Sequence, residues 1–196
     1  MFNRKPSQGR PDLFVSAKTA TAIPTGHPAL RDALIQASLD PQVRSITYMP
    51  TAHVASAQID LDAIVVERDD DRFLLDVVPA RKIRDLHQQE LTQIALAELG
   101  LEPVTLTIDE LLREPRYTNA QLVWSYCGRS VPIGLHIRIL QTLLDNGPTS
   151  LGELLKSVRS DRDPASAVMA MACADLVVLD IGSEPLGPCT IARSRS

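Results

Sequence analysis

Aromatic side chains are scarce in this 196-residue chain, 4% in all: one Trp, three Tyr and three Phe. Trp124, Tyr117 and Tyr126 fall at core spacing on one helix candidate, so they read as packing groups rather than a base-stacking platform. Cysteine is equally sparse. Cys127, Cys173 and Cys189 are odd in number, far apart and without a CxxC pair, so neither a zinc knuckle nor a disulfide framework is supported. Three reduced thiols in a cytoplasmic protein are expected. The four histidines share no ligand spacing. No apolar run approaches the roughly 18–20 residues of a membrane-spanning helix, and Met1–Arg10 lacks the apolar stretch of a secretory signal. Neither charge dominates: 20 Lys+Arg against 24 Asp+Glu leave a net charge of -4, which argues against a broad basic surface but not against a local basic patch.

What is present is a chain with 44% hydrophobic residues, enough for a real core, punctuated by 14 prolines. Residues 1–28 carry four prolines, two glycines and a net charge of +3, and read as a flexible, mildly basic arm. Helical spacing marks Ala29–Leu39, stopped by Asp40-Pro41. Val43–Met49 alternates as a strand closed by Pro50. Ile59–Glu67 and Phe73–Val78 read as a hairpin around a polar turn, apolar enough for burial on both faces. Asp62 and Asp76 interrupt these runs, and a buried charge needs a partner or a metal. A helix over Arg84–Leu99, a strand over Pro103–Ile108, a short helix Glu110–Arg113 capped by Asp109 and a helix over Tyr117–Tyr126 follow.

The pattern changes near Cys127-Gly128. Three helix candidates, Pro132–Leu144, Thr149–Val158 and Pro164–Leu176, precede short strands at Val177–Ile181 and Cys189–Ala192. Ser150 with Glu153 forms a capping-box pattern, and Pro164 suits the first position of a helix. Three helices and a β-ribbon outline a winged helix. The organisation expected is an arm (1–28), an α/β core (29–127) and a winged-helix domain (128–192).

The motifs Leu39-Asp-Pro-Gln-Val43, Tyr48-Met-Pro50, Asp60-Leu-Asp62 and Leu75-Asp-Val-Val-Pro79 come in that order. So do Leu101–Leu111 and Arg113-Glu-Pro-Arg-Tyr-Thr-Asn119. Together they make the chain resemble the TnsA-type transposon endonuclease family over roughly residues 29–192. The resemblance implies an α/β fold: a PD-(D/E)xK restriction-endonuclease-like core followed by a small winged-helix domain. In that family two carboxylates on adjacent strands hold Mg²⁺, which polarises the phosphoryl oxygen and activates water, and a lysine two residues after the second acid assists.

Asp62 and Asp76 match the two acids, as catalytic and metal-ligating positions. Leu61 stands where the family has proline, Val78 where it has the lysine, Met49 where it has glutamine and Leu30 where a helix glutamate belongs. Lys82 or Arg81 just after the strand, or Glu67 at the end of the preceding one, are candidates to replace the lost groups, Lys82 as a migrated lysine. The reading is a catalytically degenerate, TnsA-like component of a transposition, mobile-element or DNA-processing assembly. It associates with DNA or docks on protein partners, with no membrane partner and no cofactor beyond Mg²⁺ should the remnant site act. Two alternatives remain: an active Mg²⁺-dependent DNA endonuclease with a rearranged site, and a winged-helix transcriptional regulator. For the winged helix, Lys156, Arg159 and Arg162 are the nucleic-acid-binding candidates on and after its second helix.

Overall fold

A computed structural model describes residues 12–54, 57–69, 71–158 and 163–195. The molecule is a mixed α/β protein with a mixed sheet and several helices. The first helix, α1 (Pro28–Leu39), starts with His27 as its cap and ends before Pro41. Three antiparallel strands follow: β3 (Val43–Val54), β4 (Ala57–Arg68) and β5 (Arg72–Val77). Helix α2 (Leu86–Glu98) then returns the chain to β6 (Glu102–Leu106), which pairs parallel to β5 and completes the order β3-β4-β5-β6. A parallel partner needs such a crossover, whereas the antiparallel strands need only turns.

Two short helices, α3 (Ile108–Leu111) and α4 (Arg116–Trp124), lead to a turn at Gly128, whose φ of 76° suits glycine. Beyond it lie α5 (Ile133–Asn146), β7 (Thr149–Ser150), α6 (Leu151–Ser157), α7 (Pro164–Cys173), β8 (Val177–Leu179) and β9 (Ile191–Ser194). The last strands form a three-stranded sheet in the order β7-β9-β8. Ser150 caps α6 and bonds Glu153, and Asp163 caps α7 ahead of Pro164, as the local sequence predicts. Among the described residues, no helix is long and apolar enough to cross a membrane.

Several expectations need correction. From residue 12 onward the segment taken for a flexible arm is packed: β1 (Leu13–Phe14) pairs with β2 (Ile23–Pro24), and Phe14 and Ile23 are buried. Phe14 stacks on Trp124 with ring centroids 5.1 Å apart, so the tryptophan is a packing group. Residues 1–11 of that arm lie outside the described residues. Lys18, counted there as a free charge, is buried; its Nζ donates to the Asp40 carbonyl (2.6 Å) and pairs with Asp175 (3.2 Å). Arg195 also pairs with Asp175 (3.4 Å) and donates to the Val43 carbonyl (3.2 Å). This cluster ties the first segment, the sheet and the carboxyl end together.

Other corrections are local. Strand β3 does not stop at Pro50 but runs through it. Helix α3 is capped by Thr107, not Asp109, because Thr107 and Glu110 form the reciprocal capping box. Helix α2 packs the expected apolar side only in part: Ala95 is buried and Leu91 and Leu99 pack beside it against Leu61 and Ala63 of the sheet, whereas Leu86, 79% exposed, and Ile94 face outward. The residues before and after Gly128 share one continuous apolar core, from Phe14 and Ile46 to Leu143, Met171 and Ala192. Buried polar groups lock it. Gln36 donates to the Leu111 carbonyl, and Asn119 donates to the carbonyls of Ile181 and Glu184 while accepting from the Leu186 amide.

Candidate functional site

The site begins with a proline. Pro50 sits inside β3 and has no N–H to offer the neighbouring strand. The β3–β4 register is Met49↔Ala63 and then Thr51↔Asp60, so two residues of β4, Leu61 and Asp62, face one of β3. This is a β-bulge, and Asp62 occupies its left-handed position with a φ of 47°. For a residue other than glycine that conformation costs roughly 1–2 kcal/mol. Strain of this kind persists only where surrounding contacts hold it.

Those contacts are present. The Tyr48 hydroxyl donates to one carboxylate oxygen of Asp62 (2.6 Å), and Lys82 Nζ donates to the other (2.5 Å). Leu61, the other bulge residue, is buried, and its carbonyl accepts from Arg84 (2.6 Å). The β4–β5 pairing ends at Val65↔Leu74; continuing it places Asp76 opposite Ala63, one residue from Asp62. Arg81 donates twice to Asp76, through Nε at 2.8 Å and through a guanidinium nitrogen to the second oxygen. Thr105, the register partner of Asp76 on β6, donates to it as well (3.1 Å).

Asp62 and Asp76 therefore line one cleft, of about 860 Å³. Leu30 and His27 of the α1 end form part of its wall, and Gln89, Thr92 and Gln93 of α2 another part. Arg81, Lys82 and Arg84 project from the irregular segment between β5 and α2. Burial pushes the Asp62 carboxyl up, but the hydrogen bonds from Lys82 and Tyr48 outweigh it, and the group stays below the usual carboxylate value. Asp76 is lowered chiefly by the Arg81 hydrogen bond, with burial opposing and Thr105 assisting. Burial and the bond to anionic Asp62 push the Tyr48 hydroxyl up to about 12, so it remains a donor at neutral pH.

The sequence-derived candidates thus divide. Asp62, Asp76 and Lys82 meet in the cleft, with Leu30 beside them. Glu67 does not: it accepts from Ser45 (2.6 Å) and faces Arg72 (3.8 Å) near the hairpin end. Lys156 is exposed on α6 and is not part of the cleft lining. Arg159 and Arg162 lie outside the described residues. Tyr48, Thr105 and Arg84 escaped the sequence reading as site residues. Tyr48 and Thr105 were findable only through strand register, since each faces an acid from a neighbouring strand.

Asp62 and Asp76 are the two cleft carboxylates that could hold a divalent metal, and both are occupied by cations of the chain itself. Mg²⁺ is usually held by one or two carboxylates with waters completing its shell; here each of the two carboxylates is paired with a cation of the chain, and α1 offers Leu30 rather than a further acid. Among the described residues, no group of three His, Cys, Asp or Glu side chains is arranged to hold a metal ion. What the arrangement does provide is a partly buried, self-neutralised charge cluster with one further cation, Arg84, at its edge. No protein-family model matches the chain, and no curated protein matches its sequence.

Proposed function

We propose that this chain has a PD-(D/E)xK-type, TnsA-like nuclease core whose cleaving centre has degenerated, followed by a winged helix. In this reading it serves as a DNA-associated or partner-docking component of a transposition, mobile-element or other DNA-processing assembly. The order α1-β3-β4-β5-α2-β6, with β6 parallel to β5, supports the first part. The order α5-β7-α6-α7-β8-β9 with its β7-β9-β8 sheet supports the second. Order alone is shared by unrelated proteins, so the site must carry the functional claim.

The observation that carries it is the state of the two acids. They sit together in one cleft, Asp62 on a strained bulge of β4 and Asp76 on β5, where a phosphoryl-transfer site would keep them, but each is ion-paired with Arg81 or Lys82. Val78 at the lysine position and Leu30 on the wall supply no charge. Removing an electrostatic donor at such a centre costs a factor of about 10²–10³ in rate. The test is incubation of the full chain with supercoiled plasmid and Mg²⁺ or Mn²⁺. The expected result is duplex binding or no interaction, without nicking. Metal-dependent nicking that disappears in Asp62→Ala and Asp76→Ala would establish an active endonuclease instead.

One observation favours that second reading: Lys82 reaches Asp62 from the strap after β5, the position of a migrated lysine. The same assay decides it, since nicking lost in Lys82→Met is its signature. As a winged-helix regulator, the protein would bind duplex DNA with an affinity falling steeply as salt rises, weakened by Lys156→Ala with Arg159→Ala. Salt-independent or absent binding would exclude that role.

A further inference from the structure

We propose that Arg81 and Lys82 are the resident counter-ions of the cleft, held on the strap of residues 81–84 where a divalent cation would otherwise have to neutralise Asp62 and Asp76. This deepens the reading of a degenerate centre and rests on it.

Two carboxylates a residue apart in register on neighbouring strands, 25% and 19% exposed, cannot both stay ionised cheaply without positive charge beside them. Three remedies exist: a proton on one acid, an added metal, or a cation from the chain. The geometry selects the last. Arg81 spans both oxygens of Asp76, and Lys82 meets the one Asp62 oxygen that Tyr48 leaves free. Adjacent residues thereby serve acids on different strands.

The strap is anchored at both ends. On one side is a tight turn, Val78–Ala80, containing Pro79. On the other, Arg84 bonds the Leu61 carbonyl and Asp85 caps α2 with its reciprocal partner Gln88. A divalent ion approaching these oxygens meets two positive heads already in place. The cleft is therefore closed to metals by charge rather than by shape, and its acids remain available once the heads are neutral.

The heads are 53% and 65% exposed, so they can be changed without touching the core. The experiment titrates Mn²⁺ into the full chain and follows the loss of the free-ion electron paramagnetic resonance signal. It compares wild type, Arg81→Gln with Lys82→Gln, and the charge-keeping pair Arg81→Lys with Lys82→Arg, with circular dichroism as the check of folding. The neutral pair should bind Mn²⁺ at least about tenfold tighter than wild type, as expected when like charges beside the ion are removed. The charge-keeping pair should match wild type. If the neutral pair folds and gains no Mn²⁺ affinity, the inference is overturned. It is equally overturned if wild type binds as tightly as the neutral pair. A missing gain in Mn²⁺ affinity without nicking overturns this inference alone, whereas metal-dependent nicking by wild type overturns the proposed function and the inference with it, so the two failures are distinguishable.

Discussion

Replacing Asp62 separates backbone strain from side-chain bonding at the bulge. Asp62→Ala removes the bond from the Tyr48 hydroxyl, worth about 1.5–3 kcal/mol for a charged acceptor, and the exposed Lys82 pair, worth about 0.2–1 kcal/mol. It also leaves a Cβ at a φ of 47°. Asp62→Gly loses the same bonds but relieves roughly 1–2 kcal/mol of left-handed strain. Against that relief stands the greater freedom of glycine in the unfolded chain, about 0.4–1 kcal/mol. The glycine variant should therefore be the more stable of the two by about 0.5–1 kcal/mol, whereas at an ordinary strand position alanine wins. Urea unfolding followed by the fluorescence of Trp124, the chain's one tryptophan, is the assay. With a slope of about 2–3 kcal/mol/M, the midpoints should differ by about 0.3 M. Tyr48→Phe should cost stability in the wild-type background and little in Asp62→Ala, because the hydroxyl's partner is then already gone. An alanine variant as stable as the glycine one, or more so, would refute the strained bulge. An undiminished Tyr48→Phe penalty in the Asp62→Ala background would refute the bonding.

Acid should weaken the fold through the same cleft. The carboxyls of Asp62 and Asp76 lie below the usual 3.8 in the folded state, so their contribution is complete above that pH and is lost as pH falls through the depressed values. Urea midpoints measured downward from about pH 5 should fall less steeply in Asp76→Asn than in wild type, and parallel curves would count against it. Lys18→Ala removes a buried cation from between the Asp40 carbonyl and Asp175, leaving Asp175 only its pair with Arg195. A loss of about 3 kcal/mol is expected by calorimetry or urea unfolding, and a change within about 0.5 kcal/mol would show that the cluster does not clamp the fold.

The order of elements was legible in the sequence because periodicity, proline and capping residues act over a few neighbouring positions. The stop of α1 at Pro41, the Ser150–Glu153 cap of α6 and the Asp163-Pro164 start of α7 are all of that kind. The two acids were also visible, as breaks in apolar runs. Local rules misled where another part of the chain intervened. Pro50 looked like a strand end, yet β4 bulges to accommodate it and carries Asp62 into the cleft. Charge and proline made residues 12–28 look solvated, but Phe14 has Trp124 to stack on and Lys18 has Asp175 to pair with.

Composition, the helix and strand sequence, and the presence of two acids, Asp62 and Asp76, within the apolar strands were therefore determined by the amino-acid sequence itself. Tertiary structure alone decided what those acids face. Register brings Tyr48 and Thr105 to them, and the strap after β5 folds back to deliver Arg81 and Lys82. Coulomb attraction in a half-buried cleft is strong only over a few ångströms, and which groups come that close is a property of the packed chain rather than of any window along it.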